Sequence, residues 1–377
     1  MKIFLSACLA LFALAAPAVS QGLTLPPSGE NQHSEVSQQI GLVTVRIAYN
    51  SPNVHAPDGS DRKGKIWGEL VPYGMSNLGF GSCGDQCPWR GGANQNTTFT
   101  VSHDVTVQGK PLPAGTYGLH FIPGKDEWTI IFSNNSTAWG SFFYDAREDA
   151  LRVTAKPAES AYREFLTYEF VDREQAKATV QLEWENLALP WTIDVPNADQ
   201  LYVENLRREL QNSQGFTWQS WEQAASFCLA RKINLPEAMA WAQAAVDGPF
   251  GGQANFTTLS TLSALQEANG KTEEANKTFD LALNHPGTAA FDIHTAGRQL
   301  LAAKKTALGI RVLELNGKRF PGVWPTEVSL GRASAAAGKK DEAIKHFKAA
   351  FKTAPDEAAK KNLENLIARV EKGEAID

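Results

Sequence analysis

Several things on which protein function is often built are scarce or missing in this chain of 377 residues. There is no surplus of basic charge: 36 Lys and Arg stand against 41 Asp and Glu, a formal net charge of −5. That balance excludes nucleic acid as an electrostatic partner, because such binding demands a basic face. No His-Glu-x-x-His pair, no Walker loop and no dinucleotide-type glycine pattern after a strand occurs, so the familiar metal, nucleotide and cofactor signatures are missing and no cofactor is expected. Phe80-Gly81-Ser82-Cys83-Gly84 approaches a nucleophile elbow, but Phe80 occupies the place of the first glycine. Past the first twenty residues no apolar run is long enough to span a bilayer. Glycine (30) and proline (19) are near average usage, which excludes collagenous and wholly disordered chains.

What is present begins with a compartment signal. Lys2 precedes the apolar stretch from Ile3 to Ala16, and Ala18-Val19-Ser20 offers small residues for cleavage before Gln21. This is the pattern of a secretory signal peptide over 1–20. The expected location is therefore the periplasm or the extracellular space, with no membrane span in the mature chain. Cys8 follows Leu5-Ser6-Ala7 as in a lipoprotein box, but most of the apolar run lies after it, so cutting there would leave almost no signal core. Three cysteines then remain, Cys83, Cys87 and Cys228. In an oxidising compartment Cys83 and Cys87 are expected to close a small disulfide loop. The other readings are half of a metal site that lacks its second half, or a redox pair, which usually has two intervening residues rather than three. Cys228, among Ala, Phe and Leu, is expected to be a buried free thiol.

The remaining sequence changes period in the middle. From about 44 to 195, alternation with period two predicts short strands, including Thr98–Val101, Thr116–Ile122, Trp128–Phe132, Leu151–Ala155, Phe165–Phe170, Thr179–Trp184 and Trp191–Val195. Turns of Gly, Pro and Asp between them make this an antiparallel β-sandwich or barrel-like domain. After about 200, Ala-rich helical segments take over. Gly270-Lys271-Thr272-Glu273-Glu274-Ala275 recurs as Gly338-Lys339-Lys340-Asp341-Glu342-Ala343, an offset of 68, and Lys304-Lys305-Thr306 stands at the midpoint, 34 residues on. A 34-residue period resembles tetratricopeptide repeats. Extrapolating backwards adds helices over Trp218–Arg231 and Pro236–Val246. The total is about four helix pairs, capped by a helix over Glu357–Lys372. The predicted organisation is a signal peptide (1–20), a flexible segment (21–32), a β-sandwich domain (33–196) and a tetratricopeptide-like α-helical domain (197–377).

Candidate site residues cluster in 62–94, where eight glycines are interleaved with Trp67, Tyr73, Phe80, Trp89 and Arg90. Glycine admits close backbone approach and positive φ, so the loop can form a binding rim or a set of tight turns. Tyr73, Trp89, Arg90 and Asn94 are the candidate ligand-binding residues. Arg90 is either a strut to a carboxylate such as Asp104 or Asp126, or a fork for an anionic ligand. Trp67, Trp128, Trp139 and Trp184 are expected in the core. His55, His103 and His120 are the histidines of the β region, and two of them meeting in space would be needed for a metal site. No metal site and no catalytic residue is assigned.

These residues carry a family resemblance. Arg62 to Gly74 (Arg-Lys-Gly-Lys-Ile-Trp-Gly-Glu-Leu-Val-Pro-Tyr-Gly), Trp89-Arg90-Gly91-Gly92-Ala93-Asn94 and Leu112-Pro113-Ala114-Gly115-Thr116-Tyr117 resemble domain-of-unknown-function family 2911. So do Ile122-Pro123, Trp128, Trp139-Gly140 and Tyr144. The similarity spans roughly 33–196 and departs from the pattern at Ser76–Pro88, which carries both cysteines and looks inserted. The resemblance implies an exported bacterial protein, often with a helical-repeat tail, and brings no activity or catalytic residue with it. The expected function is a non-enzymatic binding protein of the envelope. It would hold a protein partner on its helical repeats and a small ligand or glycan at the β domain. The alternative is a carbohydrate-active or other hydrolytic enzyme working through the loop 62–94.

Overall fold

The computed structural model describes residues 31–56 and 58–376, and the signal peptide expected over 1–20 lies outside them. The chain divides into two compact units, with the boundary between Ala198 and Asp199. No described helix is long and apolar enough to cross a membrane.

Among the described residues the first unit holds ten strands in two antiparallel sheets. Six strands lie in the order β1-β2-β3-β6-β7-β8, namely Gln32–Ile40, Val43–Ser51, Thr98–Val101, Gly115–Ile122, Trp128–Ser133 and Asp149–Ala155. Four lie in the order β5-β4-β10-β9, namely Lys110–Leu112, Val105–Val107, Lys177–Asp194 and Ala158–Val171. The alternation read in β2 is the burial pattern observed, with Val43, Val45 and Ile47 fully buried and Arg46 exposed between them. The sheets pack face to face through aromatic rings. Tyr49 of β2 meets Tyr168 of β9 at 4.8 Å between ring centroids, and Phe121 of β6 meets Trp191 of β10 at 6.0 Å.

The strand reading needs three corrections. The strands predicted at Thr179–Trp184 and Trp191–Val195 are one continuous strand, β10. The break between them is absorbed by two register shifts around Glu185, whose φ is 55°. Pro190 follows the last pairing with β9, at Ala188, and precedes the first with β4, at Ile193, so its missing N–H costs no ladder bond. Strand β1 was not read as a strand, and Gln32, assigned to the flexible segment, is its first residue. It pairs on one side only, with β2, so most of its residues face water and polar side chains suffice. The short β4–β5 hairpin also escaped. It turns at Gln108-Gly109, both with positive φ, the conformation that a two-residue hairpin turn requires.

The second unit holds ten α-helices. Helices α1 (Ala198–Glu209), α2 (Trp218–Arg231) and α3 (Leu235–Asp247) precede three regular hairpins. The hairpins are α4–α5 (Phe256–Ala268, Thr272–Asn284), α6–α7 (Ala290–Ala302, Thr306–Arg319) and α8–α9 (Trp324–Ala336, Lys340–Lys352). Helix α10 (Glu357–Glu371) closes the array where a capping helix was expected. The hairpins start at Phe256, Ala290 and Trp324, and their second helices at Thr272, Thr306 and Lys340, so both series advance by 34 residues.

Small residues set the helix approach. A Cβ on Gly297 would lie 2.4 Å from Leu313, and one on Gly309 would lie 2.8 Å from Leu301. Gly309 stands where the repeat pattern wants alanine, and α6 and α7 approach too closely there to leave room for a methyl group.

Candidate functional site

The segment Trp89–Asn94 is pinned to both sheets residue by residue. Trp89 exchanges backbone hydrogen bonds with Phe121 of β6, at 2.8 and 2.7 Å. Gly91 has φ 63°, and a Cβ there would sit 2.5 Å from Phe121 and 2.6 Å from the Tyr168 hydroxyl. That hydroxyl donates to the Gly91 carbonyl at 2.7 Å. The Ala93 N–H donates to the Asn50 carbonyl at 3.0 Å. Asn94, also left-handed at φ 56°, accepts on its carbonyl from Nη1 of Arg90 at 2.6 Å. The glycines are therefore structural, and their effect is to fix where Arg90 stands.

Arg90 lies over the Phe142 ring, 4.8 Å from its centroid, and packs against Gly140, where a Cβ would meet the guanidinium at 2.4 Å. Neither Asp104 nor Asp126 serves as its counter-ion. Asp104 accepts from the Ala114 N–H instead, and among the described residues no ion pair involves Arg90. Burial alone lowers its pKa.

A cavity of 330 Å³ opens beside this segment, and Trp89, Arg90 and Asn94 line it with Arg62, Leu70 and Trp184. The fold thus brings together three of the four residues singled out in the sequence. Tyr73 is not on the cavity wall: its exposed ring covers Gly68, where a Cβ would lie 2.8 Å away. Arg62 was not picked from the sequence as a site residue, although it opens the Gly-rich stretch. Its Nε is buried and lacks a hydrogen-bond partner.

The loop's tryptophans serve mainly as core. Trp67 meets Trp89, Trp128 and Trp184 edge to face at 5.8, 5.2 and 5.7 Å, and Trp89 stacks parallel to Trp184 at 6.4 Å. Trp139, expected in the core, is instead 52% exposed. It borders a separate cleft with Asn50, Gln95 and Asn96. Its expected burial rested on aromatic character alone, but it sits in a bend outside the strands.

Cys83 and Cys87 are disulfide-bonded. The sulfurs pack on Ile131 and Tyr144, and Ser76 and Cys87 exchange backbone hydrogen bonds across the base of the loop. Cys228 is a buried free thiol, its pKa pushed up to about 11 by burial.

His55, His103 and His120 each have a different partner. His55 contacts Glu164 at 2.9 Å, His103 contacts Ser102, and His120 contacts the Ser141 hydroxyl at 2.9 Å. Burial, with Arg90 adding to it, pushes the His120 imidazole down to about 4. His120 and Ser141 are both enclosed, so the pair has no route to a substrate. Among the described residues no group of three or more His, Cys, Asp or Glu side chains is placed to hold a metal ion.

In the helical unit a groove of 390 Å³ runs across α4, α5, α6 and α7. Phe256, Phe279, Leu300 and Leu308 supply its apolar surface, and Asn276 and Gln299 are exposed amides on it. Lys305 and Glu267, also on its wall, pair with each other at 2.5 Å.

Residues 31–193 match the family described as Protein of unknown function (DUF2911). No curated protein matches the chain. Among solved structures, one from the functional characterization of Pseudomonas aeruginosa pilF is 14% identical. It covers 44% of this chain and 80% of its own, with a TM-score of 0.29. YrrB, described as a TPR protein with an unusual peptide-binding site, is 16% identical. It covers 45% of this chain and 86% of its own, with a TM-score of 0.28. A tetratricopeptide repeat protein from Parabacteroides merdae ATCC 43184 is 15% identical, covering 47% and 69% with a TM-score of 0.30. At these scores the likenesses add nothing to the helical geometry described above.

Proposed function

We propose that this protein is exported and works by binding, with its helical unit holding an extended segment of a protein partner. The observation that carries this reading is the groove across α4 to α7. Its apolar floor suits side chains, and its exposed amides suit the backbone of an extended peptide. Because Lys305 and Glu267 neutralise each other, the partner segment needs no strong charge. Export is supported by the signal-peptide pattern of 1–20 and by the Cys83–Cys87 disulfide, a bond that persists in oxidising compartments.

Binding is favoured over hydrolysis by what the cavity walls of the β unit contain. Among the described residues neither the cavity at Arg90 nor the cleft at Trp139 is lined by an Asp or Glu, and glycoside hydrolysis ordinarily needs a facing pair of them.

The test is capture from envelope extract with residues 21–377 as bait, compared with the double variant Asn276→Arg, Gln299→Arg. Both positions are exposed, so the variant keeps the helical circular dichroism of the parent. A partner retained by the parent and lost by the variant supports the groove. Equal capture by both would overturn it.

A further inference from the structure

Two arginines, Arg62 and Arg90, line one cavity in the β unit, and among the described residues neither forms an ion pair. Four of the five other arginines of this unit are paired, Arg46 with Glu35, Arg147 with Asp145, Arg152 with Asp149, and Arg163 with Glu169 and Glu183, while Arg173 is exposed to water. Asp58 feels the Arg62 charge only without contact, and a partly buried cation with no carboxylate touching it is costly, a cost relieved when an anion arrives.

The cavity's hydrogen-bonding inventory points the same way. Arg62 Nε and the indole N–H of Trp184 are buried donors with no acceptor, and both residues line the cavity. Trp184 is 1% exposed. Arg90 commits Nη1 to the Asn94 carbonyl and, among the described residues, makes no other hydrogen bond. Among the described residues no carboxylate lines the wall, so the charged side chains there are all donors. Leu70, Pro72, Leu78 and Pro88 supply an apolar part of the wall, beside the neutral polar side chains of Asn31, Ser76 and Asn94. A volume of 330 Å³ lies at the small end for ligand sites.

We propose that this cavity binds a small organic acid, its carboxylate held by Arg62 and Arg90 and its apolar body set against Leu70, Leu78 and Trp89. Guanidinium groups recognise the planar carboxylate by charge-assisted hydrogen bonds. A phosphate would satisfy the same donors but would leave the apolar wall unused. The inference rests on the reading that this protein acts by binding, and it names the ligand class for the β unit.

The experiment titrates the 21–377 chain with phenylacetate, its neutral analogue phenylacetamide, and inorganic phosphate, following tryptophan fluorescence, since Trp89 lies on the wall. Phenylacetate is expected to saturate the signal, with the amide binding about tenfold or more weakly. Arg62→Gln is expected to weaken the acid by a similar factor and leave the amide unchanged. Among the described residues its guanidinium has no hydrogen bond to lose, so the fold is retained. Arg90→Gln should act alike, and Arg90→Lys should recover part of the affinity by restoring charge.

If the amide binds as tightly as the acid, the anion assignment falls while a binding site stands. Phosphate binding tighter than the acid would overturn the carboxylate assignment. If none of the three probes perturbs the fluorescence at tens of millimolar, the β unit's binding role falls with it, leaving the helical groove to its own test.

Discussion

The two units bury different kinds of side chain. Between the sheets the largest fully buried groups are Trp128, Trp184, Trp191, Tyr168, Phe99, Phe121 and Phe132, and the helical unit contributes Phe347 to the same set. The helical core is otherwise rich in alanine, with Ala225, Ala238, Ala242, Ala282, Ala343 and Ala350 all fully buried. Two twisted sheets leave a wide gap that large rings help to fill, whereas helices meeting at glycine and alanine leave almost none. Loss of volume should therefore be the damaging change in the first unit, and gain of volume in the second.

The largest expected effect tests the first half of that contrast. Trp128 is fully buried against Trp67, Trp89 and Phe121. Trp128→Ala should cost about 3–5 kcal/mol. Urea unfolding measures the loss, and hydrogen exchange should locate it in peptides from 31–198. Equal loss of protection in 199–376 would break the contrast by showing that the units unfold as one.

Each unit also encloses one histidine, which provides a matched comparison in pH. His120 and His294 are both pushed down to about 4, chiefly by burial, with Arg90 acting on the first and Arg332 and Arg298 on the second. An unfolded histidine titrates near 6.5, so below that pH the unfolded chain takes up a proton that the folded chain refuses. Stability should therefore be complete above about pH 6.5, fall as pH drops towards 4, and level off below. The slope is about 1.4 kcal/mol per pH unit for each histidine, or roughly 3 kcal/mol across the window. His120→Gln should flatten this dependence in the β unit alone, and His294→Gln in the helical unit alone. Unfolding monitored at pH 7, 6 and 5 checks this, and a slope unaltered in both variants would refute it.

How much of this architecture was legible in the sequence follows from the range of the interactions. The helical repeat is local: Gly270, Lys304 and Gly338 mark successive turns 34 residues apart, and the hairpins follow that step. Strand positions such as Thr98–Val101 were also legible, because alternation is local. Sheet order was not, since nothing near Thr98 announces that β3 pairs with β6 on one side and with β2 on the other. For the candidate site, Trp89, Arg90 and Asn94 stood out as a motif, but the contribution of Arg62 could not be read. Its meaning depends on sharing a wall with Trp184, which is 122 residues away in sequence.

The second half of the contrast is tested at Gly331 in α8, where a Cβ would lie 2.5 Å from the Phe347 ring. In an exposed helix Gly→Ala gains about 1 kcal/mol. Here overpacking against a rigid ring costs about 1–3 kcal/mol, so Gly331→Ala should destabilise by about 1 kcal/mol net. The double variant Gly331→Ala, Phe347→Leu should show a favourable coupling, because the smaller side chain makes room for the methyl group. A single variant more stable than the parent would show that the array is looser than its glycines imply.

The smallest effect sharpens the comparison within the repeat itself. Gly270 and Gly338 occupy equivalent turns with φ 78° and 76°, and the turn between them places Lys304 at φ 60°. The backbone demands the left-handed region at all three, and for a residue with a Cβ that region costs about 1–2 kcal/mol. Glycine removes this strain but gives back about 0.5–1 kcal/mol through the greater freedom of the unfolded chain. Lys304→Gly should therefore stabilise the helical unit by about 0.5–1 kcal/mol, seen as a higher urea midpoint with an unchanged slope. The reverse change, Gly338→Lys, should lose a similar amount, because no neighbouring atom lies near enough to a Cβ there to add a steric cost. If both variants were neutral, the turn conformation would not be what sets the repeat's step. The spacing would then rest on helix packing, at contacts such as Gly297 against Leu313 and Gly309 against Leu301.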